Sequence, residues 1–210
     1  MSLALKNITH AKGHKVLFRH VNLTLQAGQR LLIQGANGSG KSTLLKIIAG
    51  LLTADRGVVT WQGQKLQADQ TEYFSKMSYL GHQNGLKKAL TVLENLRERL
   101  CLANAQATPA QIADVLGSLG LSAKQQQICD TLSAGECRKV ALAAVLLSNK
   151  PLWILDEPFN SLDKASYHQF QENCETHLAQ GGLIVLACHQ GSHHYQGSQV
   201  IDLSLAGSTC

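Results

Sequence analysis

Residues 35–43 read GANGSGKST, directly after the apolar run LLI and directly before LLKIIAGLL. No other stretch limits the fold so tightly. The pattern G-x-x-x-x-G-K-[ST] between a strand and a helix commits the chain to a strand–loop–helix unit, and composition alone would produce it in roughly one chain in a hundred of this length. Glycines at 35, 38 and 40 let successive backbone N–H groups turn inward around phosphate oxygens, and the positive end of the following helix adds to them. Lys41 is then expected to reach the β- and γ-phosphates of a nucleotide, with the Ser42 hydroxyl on Mg²⁺. The full phosphate-loop set is Gly35, Ala36, Asn37, Gly38, Ser39, Gly40, Lys41, Ser42 and Thr43. A glycine-rich turn without a ligand is the bland alternative, and the flanks argue against it.

Apolar strand-like runs fall at 21–25, 30–34, 58–62, 77–80, 152–156, 183–188 and 200–203. Helical spacing of apolar residues falls at 41–51, 92–103, 109–119, 134–147 and 164–180. Strands alternating with helices predict an α/β chain with a largely parallel sheet. The stretch of about 84–133 breaks the alternation by being mostly helical, so a helical subdomain is expected there, inserted into a core of about 1–83 and 134–210 within one domain.

At 210 residues and 44% hydrophobic, the chain can bury a substantial interior. No run approaches the roughly 18 consecutive apolar residues of a membrane helix, and the polar start lacks the apolar region of a signal peptide. A cytoplasmic chain is expected, with any membrane role exercised through a partner. The six cysteines show no C-x-x-C spacing and read as free thiols. A net charge of +5 with no basic run longer than Lys87-Lys88 gives nucleic-acid binding little support.

PLWILDEPFNSLD ends a buried-type strand in two adjacent carboxylates. Neighbouring residues at a strand end point in different directions, so Asp156 can serve Mg²⁺ while Glu157 orients and deprotonates a water. A solvated turn is the alternative. In LIVLACHQ, Cys188 and His189 cannot readily share one ligand for the same geometric reason. Cys188 is expected on one face with Ile184 and Leu186, in a strand covered by helices on each side. His189 is the first residue free of that packing, at a strand end where open α/β sheets bind ligands. His193 and His194 read as solvated loop, His82 as a local neighbour of Gln83, and Cys137 as a small buried residue on a helix. Leu93, Leu96 and Leu100 form an apolar stripe that is subdomain core or in part a docking face.

After the phosphate loop come Gln83 in SYLGHQNG, LSAGE at 132–136, ILDEP, SLD at 161–163, and His189, in that order. Over essentially all of its length the chain resembles the nucleotide-binding domains of ABC transporters. That resemblance implies a P-loop NTPase fold with a mainly parallel sheet core, an antiparallel β subdomain and the inserted helical subdomain. It implies ATP hydrolysis with ATP and Mg²⁺, with Glu157, His189 and Gln83 catalytic and Ser42, Asp156 and Gln83 around the metal. Two such domains would pair head to tail, each ATP meeting Leu132, Ser133, Ala134, Gly135 and Glu136 of the other copy, with Ser161, Leu162 and Asp163 near the interface. The family stacks adenine on an aromatic residue near the end of the first strand. ITHAKGHKVLF has none before Phe18, so either His10 stacks in its place or it is exposed and the base is held loosely.

VVTWQGQ at 58–64, SYLGHQNGLKKALTVLENL at 78–96, PLWILDEPFNSLD and CHQ at 188–190 are similar to the ATP-binding subunits of the haem exporters of cytochrome c maturation. That resemblance implies a peripheral subunit on the cytoplasmic face of the bacterial inner membrane, bound to integral membrane subunits. GECRKVALA departs from the glutamine-rich form of that subfamily. An ATPase of another exporter, for lipid, lipoprotein or peptide, would share every catalytic residue and differ within 84–100. A non-transport ABC ATPase would call for a coiled-coil insertion or a second cassette.

Overall fold

A computed structural model describes residues 1–66, 70–188 and 197–204. The chain opens with a hairpin of β1 (Ser2–Lys12) and β2 (Lys15–Gln26), continues into β3 (Arg30–Gln34), the phosphate loop and α1 (Lys41–Ile48), and returns to the hairpin as β4 (Arg56–Trp61) and β5 (Gln64–Lys65). A short α2 (Thr71–Lys76) leads into β6 (Met77–Leu80). Then come the helices α3 (Val92–Leu102), α4 (Pro109–Ser118) and α5 (Ala134–Leu147), followed by β7 (Leu152–Asp156), α6 (Lys164–Ala179), β8 (Leu183–Ala187) and β9 (Gln199–Asp202).

These strands make two sheets. One is antiparallel in the order β2-β1-β4-β5, and the other is parallel in the order β6-β7-β8-β3-β9. β7 and β8 are buried at every position, which is why they read as unbroken apolar runs: a parallel strand is covered on both faces. On one face Trp153, Leu155, Ile184, Leu186 and Cys188 share a core with α3, α4, α5 and α6. On the other, Ile154, Val185, Leu31 and Ile33 pack against α1 and the antiparallel sheet. Cys188 lies with Ile184 and Leu186 as expected. The expectation of helices on both sides is corrected: the second face is covered by α1 together with a sheet.

Local chemistry sets the helix starts. Thr91, Thr108 and Ser133 each cap a helix through a reciprocal box with Glu94, Gln111 and Glu136. α1 stops at Ile48, short of the expected 51, because Gly50 takes a left-handed turn (φ 71). The apolar-run reading passed over β1, whose buried residues are Leu3, Leu5 and Ile8, and α2, whose buried residue is Tyr73.

Trp153 stacks on His177 with ring centres 3.9 Å apart, and burial lowers the imidazole pKa. Trp61, across the parallel sheet, meets Tyr73 edge-on at 5.8 Å. Among the described residues no helix is long and apolar enough to cross a membrane.

Candidate active site

Because β3, β6, β7 and β8 run parallel, the segments that follow them open on the same edge of the sheet. The phosphate loop follows β3, His82 and Gln83 follow β6, Asp156 ends β7, and Cys188 follows β8. His189, and with it the expected switch histidine, lies outside the described residues, as do His193 and His194.

Two glycines in the phosphate loop sit where a side chain would be strained and crowded. A Cβ on Gly40 (φ 105) would sit 3.1 Å from Leu17 Cβ and 3.3 Å from the Phe18 ring, and one on Gly35 (φ 148) 2.5 Å from Ser39 Oγ. The loop is thus pressed onto β2, leaving its N–H groups and the start of α1 to an anion. Lys41, 6% exposed, folds back so that Nζ donates to the carbonyls of Gly35 (2.8 Å) and Ala36 (3.2 Å). Ser39 Oγ is buried with no partner among the described residues.

A cleft of about 390 Å³ opens over the loop. Asn37, Gly38, Gly40, Lys41, Ser42 and Thr43 form one wall. Lys12 and Leu17 form a second, and His82 and Glu157 a third. The structure therefore brings Glu157 to the same cleft as the phosphate loop. Gln83 is exposed and does not line this cleft; its neighbour His82 does, with Nδ1 3.9 Å from Glu157 Oε2. Nor does His10 line it. Its ring lies against Phe18 (6.2 Å) and its Nδ1 3.4 Å from Asp55, so the cleft takes Lys12 and Leu17 from the hairpin instead.

Asp156 is 2% exposed at the end of β7. Its carboxylate and the Ser42 hydroxyl are hard oxygen donors of the kind Mg²⁺ takes. Together with burial, its charge raises the pKa of Tyr79 on the adjacent β6. Glu157 has left the strand with φ 50, its N–H donating to Ala187 O (3.1 Å) and its Oε2 accepting from Asn160 Nδ2 (2.7 Å). Arg138, unmarked in the sequence reading, reaches into this turn from α5.

The expected signature stretch starts α5. Ser133 and Ala134 are exposed, and Leu132 and Gly135 half-buried. Ser133 Oγ accepts from Glu136 N (3.2 Å) while Glu136 Oε2 accepts from Ser133 N (2.8 Å). That backbone bond, with Lys124 at 3.2 Å, lowers the Glu136 pKa. A Cβ on Gly135 would lie 2.5 Å from Ser161 O, so 135 and 161 are in direct backbone contact. Asp163 caps α6 through Ser166 N (2.9 Å); its hydrogen bond from Lys139, aided by that cap, holds its carboxyl down at about 2. Leu162 packs on the helical side of the core.

Comparison with known proteins agrees with this geometry. The profile of the ABC transporter family matches residues 18–160. The cytochrome c biogenesis ATP-binding export protein CcmA of Vibrio cholerae is 40% identical over 188 residues, 90% of this chain and 91% of its own length. The protein of the same name from Bordetella bronchiseptica is 44% identical over 186 residues, 88% of this chain and 83% of its own. Among solved structures, a dimeric ATP-binding cassette in a post-hydrolysis state with ADP and Pi superposes with a TM-score of 0.83 at 26% identity, covering 95% of this chain and 93% of that one.

Proposed function

The chain belongs to the ABC transporter family and is an ATP-binding, ATP-hydrolysing domain of it, and from that premise we propose that it powers a bacterial inner-membrane complex that exports or delivers haem for cytochrome c biogenesis. The single observation that carries the chemistry is the cleft in which Lys41, Ser42 and Glu157 face one volume. The cargo assignment is supported by identities of 40–44% to proteins named for that process.

ATP enters with its phosphates on the N–H groups of the loop. Lys41 gives up the carbonyls of Gly35 and Ala36 for the β- and γ-phosphate oxygens, exchanging neutral acceptors for charged ones. Ser42 and Asp156, with Gln83, would hold Mg²⁺, which when bound neutralises phosphate charge. Glu157 takes a proton from water as its oxygen bonds to the γ-phosphorus and the bond to the ADP oxygen breaks. His189 contacts the γ-phosphate, and the base rests against Leu17 and Lys12 rather than His10.

A second such domain supplies Leu132, Ser133, Ala134, Gly135 and Glu136 in trans, an anion again meeting a helix N-terminus, with Ser161, Leu162 and Asp163 beside the seam. The chain acts as one cassette whose helical subdomain, about 84–133, faces integral membrane subunits on the cytoplasmic side. No nucleic acid is involved.

The test is to purify the membrane complex through a tag on this chain, identify its integral subunits and measure ATP turnover. Glu157→Gln should retain ATP and lose on the order of 10² to 10⁴ in turnover. Near-normal hydrolysis by that variant rejects Glu157 as the base, and integral subunits of a lipid, lipoprotein or peptide exporter reject the haem assignment.

A further inference from the structure

The guanidinium of Arg138 is buried, 5% exposed, and the chemistry above gives it no task. It sits early in α5, just inside the helix start formed by Ser133 and Glu136. Among the described residues it makes five hydrogen bonds, all to two segments of the site. Nη2 donates to Glu157 O (2.9 Å) and to Asp156 O, and Nε to Pro158 O (3.3 Å). Nη1 donates to Gly81 O and Asn84 Oδ1, both at 3.0 Å. One planar group thus holds the turn that presents both carboxylates and the loop that carries Gln83.

Burying a cation carries a desolvation cost that well-packed apolar side chains would not. The burial lowers the pKa of Arg138, and the charges of Asp156 and Glu157 act against that. Stability alone therefore gives little reason for an arginine here. Geometry gives one. Glu157 adopts φ 50, a conformation that persists in a non-glycine residue only when its surroundings impose it. Arg138 bonds the carbonyls of Glu157 and of the residues on either side of it, fixing the peptide planes that aim its side chain. The same loop is gripped once more by Arg99, whose Nη1 donates to Asn84 O (2.8 Å).

We propose that Arg138 is a positioning residue that keeps Glu157 and the Gln83 loop in register and ties both to the signature helix. A nucleotide arriving from the partner domain at Ser133 and Gly135 would then alter the aim of the base in the subunit that carries Arg138. The inference rests on the ATPase reading.

The test uses the complex carrying Arg138→Met, Arg138→Lys or Asn84→Ala, each verified folded by thermal melting. ATP affinity should stay within about twofold of wild type. Turnover should fall on the order of tenfold to a hundredfold in Arg138→Met, since a misplacement of about 1 Å is enough for such a loss, and less in Arg138→Lys. Asn84→Ala should cost a few-fold and combine non-additively with Arg138→Lys. Amide hydrogen exchange at 81–84 and 156–159 should rise in Arg138→Lys whether or not ATP is hydrolysed. A wild-type complex without ATPase activity would therefore sink the functional reading while exchange still tested the clamp. Turnover within twofold of wild type in the folded arginine variants, affinity lost in step with turnover, or unchanged exchange each overturns the proposal. Should Arg138→Met fail to fold, Arg138→Lys and Asn84→Ala decide it.

Discussion

Lys12 and Leu17 line the cleft with a charged, flexible arm and a branched aliphatic wall, with no flat ring between them. A base held this way gains little beyond area, whereas stacking on an aromatic side chain adds roughly 1–3 kcal/mol per base. Lys12→Tyr is accordingly expected to tighten ATP binding about fivefold or more and to widen the preference for ATP over UTP, read by competition against a fluorescent nucleotide; an unchanged affinity would show that the base does not meet this wall. The identity of the wall could not be counted off the sequence. His10 is the ring nearest the end of β1 in the sequence, but which hairpin residues border the cleft depends on how the hairpin meets the phosphate loop, and Lys12 and Leu17 do. The phosphate loop and the Asp156–Glu157 pair were legible because their chemistry is carried by contiguous residues. Arg138 was not, since its partners come from two distant segments.

In α5 four consecutive side chains leave in four directions. Glu136 pairs with Lys124, Cys137 lies against Cys129, Arg138 enters the turn after β7, and Lys139 bonds Asp163. The capping box could be read from S-x-x-E spacing; these cross-links could not, because they depend on which neighbours pack around the helix. The first of them sets two demands in opposition. A carboxylate at the third helical position supports its own helix, but it also places negative charge where a partner's phosphates would dock. Glu136→Gln keeps the cap acceptor and removes that charge. In a Glu157→Gln background, ATP-driven dimerisation should tighten about thirtyfold, because each of the two ATP sites is relieved of roughly 1 kcal/mol for a like charge a few ångströms away. Sedimentation of the two variants across a concentration series measures it, and equal association would place the signature away from the phosphates.

The molecule is built on a parallel sheet with an interior on each face, one of them closed by the antiparallel sheet. Leu186→Ala, at a site 1% exposed in the centre of the sheet, should cost about 2–5 kcal/mol. Leu102→Ala, at a site 81% exposed, should fall within about 0.5 kcal/mol of wild type. Thermal unfolding of the two variants compares them directly. That the strands were parallel and doubly covered could be read from their unbroken apolar runs, but the antiparallel sheet on one face entered only through family resemblance, since half-exposed strands such as β1 carry a weaker signal.

The same layering divides the chain optically. Its two tryptophans fall one to each side of the parallel sheet, Trp61 in the interior beneath the hairpin and Trp153 in the interior beneath the helices. Each has a different companion: Tyr73 can pass excitation to Trp61, whereas His177 lies flat on Trp153 and, once protonated, quenches indole emission. Burial keeps that imidazole neutral to lower pH than usual, so its protonation on acidification dims Trp153 in the helical half. Intrinsic fluorescence thus follows the two halves of the molecule separately, with no label attached.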